Sequence, residues 1–377
     1  MSVPSEGTVP SPGSRGMGES SPQAEEGFFV TLVRQESLFF ALISLGFFAV
    51  GFVYEDPTLA AWVGFALAGY SAVANDSIQT IGTFIASNRG KPWWTLWIYI
   101  GGIFLLTVGW SWWAYDGDVT HQRLAAKGFS EAPTSFSYLQ VAAPLVLMVL
   151  TRMRMPVSTS LLLLSCFATE PSGIGKVLTK SVAGYGVAFV VAILVWLAVS
   201  KALARFEKAG EPHPGWRVFQ WVSSGALWSV WVMQDAANIA IYLPRQLSVL
   251  ELAGFAGVVF VGLGLLFKFG GARVQKVVDE KSSVEDVRSA TVIDFVYAII
   301  LYVFKVHSKV PMSTTWVFIG LLAGREIAMS LRHVAGHGRK HALKLMGKDL
   351  LYVTIGLVVS VGLAMAVNER FADAVFD

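Results

Sequence analysis

The sequence predicts an all-α integral membrane protein, built as an inverted-topology repeat with broken helices and two re-entrant hairpins. Three observations carry that expectation. The 377 residues are 54% hydrophobic and only 15% charged, whereas soluble domains are about a quarter charged. Apolar segments follow one another at about 38–54, 57–86, 93–113, 138–151, 156–168, 180–200, 216–244, 249–267, 290–306, 311–330 and 348–367. Most approach or exceed the roughly 20 residues that a spanning helix needs. Finally, two unusual polar motifs each occur twice.

The first motif lies in Gly69–Thr83, where Asn75-Asp76 and Gln79 sit inside an apolar run. A charge at membrane depth is costly, so such a residue marks a functional site by default. The arrangement returns at Val230–Asn238, as Gln234-Asp235 followed by Asn238. Each copy precedes a second motif, Pro156-Val157-Ser158-Thr159-Ser160 in one case and Pro311-Met312-Ser313-Thr314-Thr315 in the other. Residues 28–205 and 206–377 are therefore two repeat halves, each with one amide–carboxylate helix and one Pro-x-Ser-Thr turn.

Residues 1–27 are rich in Ser, Pro, Gly and Glu, a composition of disordered chain. They lack the basic start and apolar core of a signal peptide, so the tail is expected to stay on the chain. Several tryptophans end apolar runs, as interfacial anchors do. Orientation comes from four basic loops: Arg89 and Lys91; Lys201, Arg205, Lys208 and Arg217; Lys268, Arg273, Lys276, Lys281 and Arg288; and Arg332, Arg339, Lys340, Lys344 and Lys348. All four fall in the cytoplasm if 57–86 runs inward and 216–244 outward. The N-terminus is then cytoplasmic, the C-terminus outside, and the two amide–carboxylate helices are opposed, which is what an inverted repeat means. Segments 138–151 and 156–168 are too short to span and meet at Met155-Pro156, so they predict a re-entrant hairpin around the Pro-x-Ser-Thr turn. Segments 290–306 and 311–330 are its counterpart, with lengths that also allow two spans.

On a helix, Asp76, Gln79 or Thr80, and Thr83 share a face; Gln234 and Asn238 are four apart, Asp235 and Asn238 three apart. Amide carbonyls plus a carboxylate suit a hard cation such as sodium, or the hydroxyls of a protonated oxyanion. Pro is favoured in the first turn of a helix. If Pro156 and Pro311 open half-helices, the N–H groups of those turns make an anion site, with Ser158, Thr159, Ser313 and Thr314 adding donors. Donors for an anion beside oxygens for a cation are what cation-coupled anion symport requires. The single cysteine, Cys166, excludes an intrachain disulfide and a multi-Cys metal site. The net charge of +3 says little about partners, and no nucleic acid is expected among them. No Walker-type phosphate loop is present, and no cofactor beyond a coupling ion is implied.

With these motifs the chain resembles the inorganic phosphate transporter (PiT) family of sodium- or proton-coupled phosphate symporters. That family's signature has the form Gly-x-Asn-Asp-Val-Ala-Asn-Ser-x-Gly-Thr, repeated, with Pro-Val-Ser-Thr-Thr, also repeated. Asn75–Thr83 matches the first element. Gly270–Val278, followed by Pro311–Thr315, looks like the second half, so the resemblance covers about 57–168 and 216–330. It implies that Asp76, Asp235, Ser158, Thr159, Ser313 and Thr314 serve phosphate. It implies that Asn75, Asp76, Gln79, Gln234, Asp235 and Asn238 serve sodium or a proton. It also implies a multi-pass protein of the cell membrane, not an enzyme, and a homodimer, although no sequence feature fixes the oligomeric state. The departures are Gln79 and Gln234 where the family has Asn, Ile241 in place of a glycine, and Leu161 and Trp316 in place of His. They put substrate and coupling ion in question more than fold.

Two retained carboxylates favour phosphate over sulfate, because phosphate near neutral pH still carries a proton to donate. Sulfate or another oxyanion, and a transport-inactive sensor, stay open as alternatives. An intramembrane aspartyl protease dyad is the enzymatic alternative, but the Gly-x-Gly expected before its second aspartate is Trp231-Val232-Met233-Gln234 here. Asp294 is a third intramembrane carboxylate, either an ion or proton carrier or the partner of a basic residue. Arg152, Arg154, Lys305, His307 and Lys309 lie just before the turns, as cavity cations if the hairpins are re-entrant and interfacial anchors if they span. Arg325 and Glu326 pair or sit at the membrane edge. Asp116, Asp118 and His121 form a nominal metal trio, with a solvated external loop the preferred reading.

Overall fold

The computed structural model describes residues 36–153, 155, 157–168, 171–208, 210–270, 286–308, 312–333 and 338–367. The expectations for the tail 1–27, for Arg154, Pro156, Lys309 and Pro311, and for the basic stretch 271–285 with Arg273, Lys276 and Lys281 lie outside the described residues. The chain divides into two compact units, Met1–Ser44 and Leu45–Asp377. Of the first, the described part is the start of helix α1 (Ser37–Val53), where the Phe39 and Phe40 rings meet edge to face.

The second unit is helical throughout its described residues. After α1 come α2 (Pro57–Thr80), α3 (Gly82–Ser87), α4 (Trp93–Ala114), the short α5 (Arg123–Ala126) and α6 (Tyr138–Arg152). A π-helical turn at Ser160–Leu164 leads to α7 (Pro171–Lys208). The rest is α8 (Gly215–Ala240), α9 (Val249–Leu265), α10 (Val287–Leu301), α11 (Thr314–Leu331) and α12 (Arg339–Val367). Further π-turns extend α9 at Leu266–Gly270 and α10 at Tyr302–His307. Six described stretches are long and apolar enough to cross a membrane, in α2, α4, α7, α9, α10 and α12. Trp93, Trp94, Trp110 and Trp113 stand exposed at the two ends of α4, the placement of interfacial anchors.

The boundaries have local causes. Ser137 and Gln140 form a capping box that opens α6, and Ser248 and Glu251 do the same for α9. The apolar run 57–86 is a broken helix: Ile81, at φ −116° and ψ 2°, separates α2 from α3 directly after the first motif. The run 216–244 ends its helix at Ala240, directly after the second. Hydropathy marks only the apolar centre of a helix. Hence α7 and α12, expected at 180–200 and 348–367, extend into polar turns as far as Pro171–Lys208 and Arg339–Val367.

The packing comes in pairs that exchange the halves. α2 lies on α6 as α8 lies on α10, and α8 on α4 as α2 on α9. The Ser160–Leu164 turn packs on α12 as α11 packs on α7, and α6 meets α12 as α10 meets α7. α2 meets α8, and α4 meets α9, across the middle. Aromatic groups join these faces: Phe65 stacks on Phe255 with centroids 5.0 Å apart, Trp228 Nε1 donates to Ile100 O at 3.0 Å, and Trp97 Nε1 to Phe260 O at 2.9 Å.

Short helical pieces flank the first Pro-x-Ser-Thr motif. α6 has 15 residues, and the returning helical backbone begins only at Thr159. In the second pair, Val287–Phe304 meets the length of a span by itself. Arg325 and Glu326 do pair, at 2.5 Å, and both are buried.

Candidate functional site

The four motifs meet at one buried place. Asp76, near the end of α2, accepts a hydrogen bond at Oδ2 from Thr159 Oγ1 at 2.8 Å, and at Oδ1 from Asn75 Nδ2 at 2.9 Å. The same Asn75 amide donates to Val157 O at 2.9 Å, and Thr315 Oγ1 donates to that carbonyl at 3.1 Å. One backbone carbonyl of the first Ser-Thr turn thus ties the first amide–carboxylate pair to the second Ser-Thr turn. Ser160 Oγ donates to Asn238 Oδ1 at 3.0 Å, joining the first turn to the second amide–carboxylate pair. Asn238 Nδ2 in turn donates to Asp235 Oδ1 at 2.8 Å. Tyr297 of α10 lies in the electrostatic field of both Asp235 and Asp76, and its hydroxyl donates to Thr314 O at 2.9 Å. Asn75, Asp76, Gln79, Ser158, Thr159, Gln234, Asp235, Asn238, Ser313 and Thr314 are each 6% exposed or less.

The helical backbone starts at Thr159 and Thr314, with Ser158 and Ser313 directly in front. Ser158 caps its arm, accepting from Leu161 N at 3.2 Å. Ser313 has extended backbone and no such bond; its N–H donates to Ser181 Oγ at 2.9 Å. Its hydroxyl is buried without a partner, and so are the side-chain carbonyl oxygens of Gln79 and Gln234. Buried polar atoms are nearly always satisfied. Three that are not thus come from the polar motifs of both parts of the chain.

Asp294 of α10 is buried and accepts from Thr83 Oγ1 at 2.5 Å and from Ser224 Oγ. Gln220 Nε2 donates to Ser224 Oγ at 3.0 Å, and Asn88 Nδ2 to Gln220 Oε1 at 2.9 Å, so a polar chain links α3, α8 and α10. Among the described residues no cation pairs with Asp294.

Sequence reasoning missed two cations. The segment 115–137 is not a bystander. Arg123, on α5, is buried; that burial pulls its guanidinium below its ordinary range and the nearby carboxylate of Asp235 opposes the pull. Lys127 Nζ donates to Asn238 Oδ1 at 3.2 Å. The available signal was their spacing: four apart, on one face of a helical turn. Asp116, Asp118 and His121 do not gather around a metal position, and no such cluster occurs among the described residues. Asp118 instead closes its own turn, accepting from Thr120 N at 2.6 Å and Gln122 N at 2.8 Å.

His121 holds an acid-sensitive point in that segment. It sits at φ 53°, against the Tyr115 ring, with both ring nitrogens buried and unpartnered. Burial pushes its imidazole from 6.5 down to about 4, against the charge of Asp118. The unfolded segment therefore binds a proton that the folded one refuses. The folded segment is fully stable above pH 6.5 and loses stability as pH falls towards about 4. Amide exchange in 115–137 is expected to rise over that window in the wild type and not in His121→Asn, since Asn tolerates the left-handed backbone. Equal acid responses in the two would assign the sensitivity elsewhere.

No family model matches the chain, and no curated protein matches it. A solved structure described as "The sodium-dependent phosphate transporter" is similar over 84% of this chain and 97% of that chain, at 16% identity and a TM-score of 0.48. That likeness is too loose to carry an argument about fold or chemistry. The helices themselves define the class: an all-α, multi-pass membrane protein with a polar site buried among its helices.

Proposed function

We propose that the chain is a cation-coupled secondary transporter that imports inorganic phosphate by alternating access of two inverted halves. One observation carries this reading. Two copies each of two polar motifs converge inside an apolar bundle, and among their buried atoms without a partner are the carbonyl oxygens Gln79 Oε1 and Gln234 Oε1 and the hydroxyl Ser313 Oγ. Packing alone does not account for a doubled arrangement of buried carboxylates, which are expensive at membrane depth. The paired packing of the helices supports halves that rock against each other, with the site at their junction.

The chemistry follows from the donor set. Carboxylate and amide oxygens of Asn75, Asp76, Gln79, Gln234, Asp235 and Asn238 hold the coupling cation, sodium or a proton, as cargo. Ser158, Thr159, Ser313 and Thr314 hold the oxyanion from the other side, with Asp76 and Asp235 accepting from its hydroxyl. A carboxylate beside an oxyanion is repulsive unless a proton or cation lies between them. Hydrogen phosphate brings that proton and sulfate does not. Thr159 and Asn75 now fill both oxygens of Asp76. An arriving phosphate hydroxyl takes the acceptor that Thr159 occupies and frees the threonine hydroxyl to turn towards a phosphate oxygen.

The test is uptake of labelled phosphate into proteoliposomes, with and without an inward sodium gradient, and with excess unlabelled sulfate. Sodium-driven uptake indifferent to sulfate is the expected result. Uptake driven only by a pH gradient moves the coupling to protons and brings Asp294 forward as their carrier. Strong sulfate competition makes the chain an oxyanion permease of broader choice. Binding of phosphate without uptake makes it a sensor.

A further inference from the structure

The two amide–carboxylate pairs are not equivalent, and at the second the chain itself supplies a cation. At the position three residues after the carboxylate, the first pair presents Gln79, whose buried carbonyl oxygen has no partner. The second presents Asn238, whose carbonyl oxygen is already engaged by the Lys127 ammonium at 3.2 Å and by Ser160 Oγ at 3.0 Å. Asn238 also donates to Asp235 Oδ1 at 2.8 Å, so the same amide joins the ammonium to that carboxylate. The Arg123 guanidinium lies within the same carboxylate's field.

The ammonium is fixed by a frame. Lys127 follows α5, and its N–H closes that helix on Arg123 O and Leu124 O at 3.0 and 3.1 Å. Phe129 N donates back to Leu124 O at 2.8 Å. Arg245, beyond α8, grips the outgoing strand of the segment: Nε donates to Phe129 O at 2.9 Å and Nη2 to Glu131 O at 2.6 Å. On the incoming side Leu247 N donates to Gly117 O at 2.9 Å, and Trp112 Nε1 to Leu247 O at 2.6 Å. A lysine on a free loop spends most of its time in water because of its rotamer entropy and strong hydration. Here both ends of its segment are anchored, and the head group is delivered to an amide oxygen that a coupling ion would otherwise use.

Resting on the transport reading above, we infer that Lys127 is a tethered substitute for a coupling cation at the second amide–carboxylate pair, so that the chain carries one sodium ion fewer per cycle than its doubled motif provides for. Arg123 supports it by placing a second positive charge of the chain's own within the field of Asp235. Gln234 Oε1 stays without a partner on that side, but the positive charges of Lys127 and Arg123 repel a further cation from it.

The experiment counts sodium. Purified protein in lipid nanodiscs is equilibrated with radioactive sodium, and bound ion per chain is measured for wild type, Lys127→Met, Lys127→Arg and the double variant Lys127→Met with Asp235→Asn. The expected result is that Lys127→Met binds one sodium ion more per chain than wild type. Lys127→Arg should keep the wild-type count, and the double variant should lose the ion gained. Lys127→Met at the wild-type count overturns the inference and leaves the transport reading standing. A drop in phosphate binding at that unchanged count would show that the ammonium serves the anion instead. No sodium bound by any of the four, with correctly folded protein by thermal melting, removes the sodium-coupled reading and this inference with it.

Discussion

Asp76→Asn is expected to reduce cation-driven phosphate uptake by about tenfold to a hundredfold while leaving a folded protein. The estimate rests on a charged hydrogen bond being worth about 1.5–3 kcal/mol, with every 1.4 kcal/mol about a factor of ten. Asparagine is the informative substitution because it keeps one carbonyl oxygen, which can still accept from Thr159 at 2.8 Å, while its NH2 replaces the oxygen to which Asn75 donates at 2.9 Å. The bond that holds the first turn to α2 can therefore persist, and what is lost is the charge and one acceptor within α2. A purely structural carboxylate would behave differently, with the melting temperature falling along with activity. Asp235→Asn is expected to give the same loss of uptake, because Asn238 can still donate to the new oxygen. Wild-type uptake in both variants, measured in proteoliposomes at matched protein content, would sink the assignment of these residues to the site.

Why those residues were legible in the sequence, and others not, has a physical basis. Polar groups at membrane depth are expensive, so Asn75-Asp76 and Gln234-Asp235 stand out against their apolar surroundings. The Ser158-Thr159 and Ser313-Thr314 turns are ordinary taken singly and gained weight only because they recur. Their convergence on Val157 O, through Asn75 and Thr315, is a property of the packing that no single helix's pattern contains. Lys127 was invisible for the opposite reason. A lysine in a polar segment is the commonest surface residue there is, and only the grip of Arg245 on Phe129 and Glu131 turns it inward. The break at Ile81 was likewise hidden, because an apolar residue continues the run that hydropathy follows, even where the backbone leaves the helix. The capping boxes at Ser137 and Ser248 were spelled out as Ser-x-x-Gln and Ser-x-x-Glu, and they start their helices where the apolar runs begin.

Gly320→Ala is expected to be among the costliest single-methyl changes in the bundle. α11 lies so close to α7 that a β-carbon at Gly320 would fall 2.3 Å from Tyr185 O, and one at Gly324 the same distance from Phe189 O. Both neighbours are backbone, so no side chain can swing aside. The spacing is the small-x-x-x-small pattern that lets membrane helices approach, written here as Gly320-Leu321-Leu322-Ala323-Gly324. Overpacking of this kind costs about 1–3 kcal/mol, and more when backbone must move. The consequence reaches the site, because the same interface carries the bond from Ser313 N to Ser181 Oγ that positions the start of α11. Separating the helices therefore displaces Ser313 and Thr314, and uptake should fall together with the melting temperature. Gly109→Ala in α4 is the matched control. A β-carbon there has no neighbour within 4 Å, and the change should be neutral or stabilise by up to about 1 kcal/mol through helix propensity. If Gly320→Ala melts with the wild type and transports normally, α11 is not seated on α7 at this distance, and the placement of the second Ser-Thr turn beside the first fails with it. If it melts early while Gly109→Ala does not, the glycine pair is what brings that turn close enough for Thr315 to reach Val157 O.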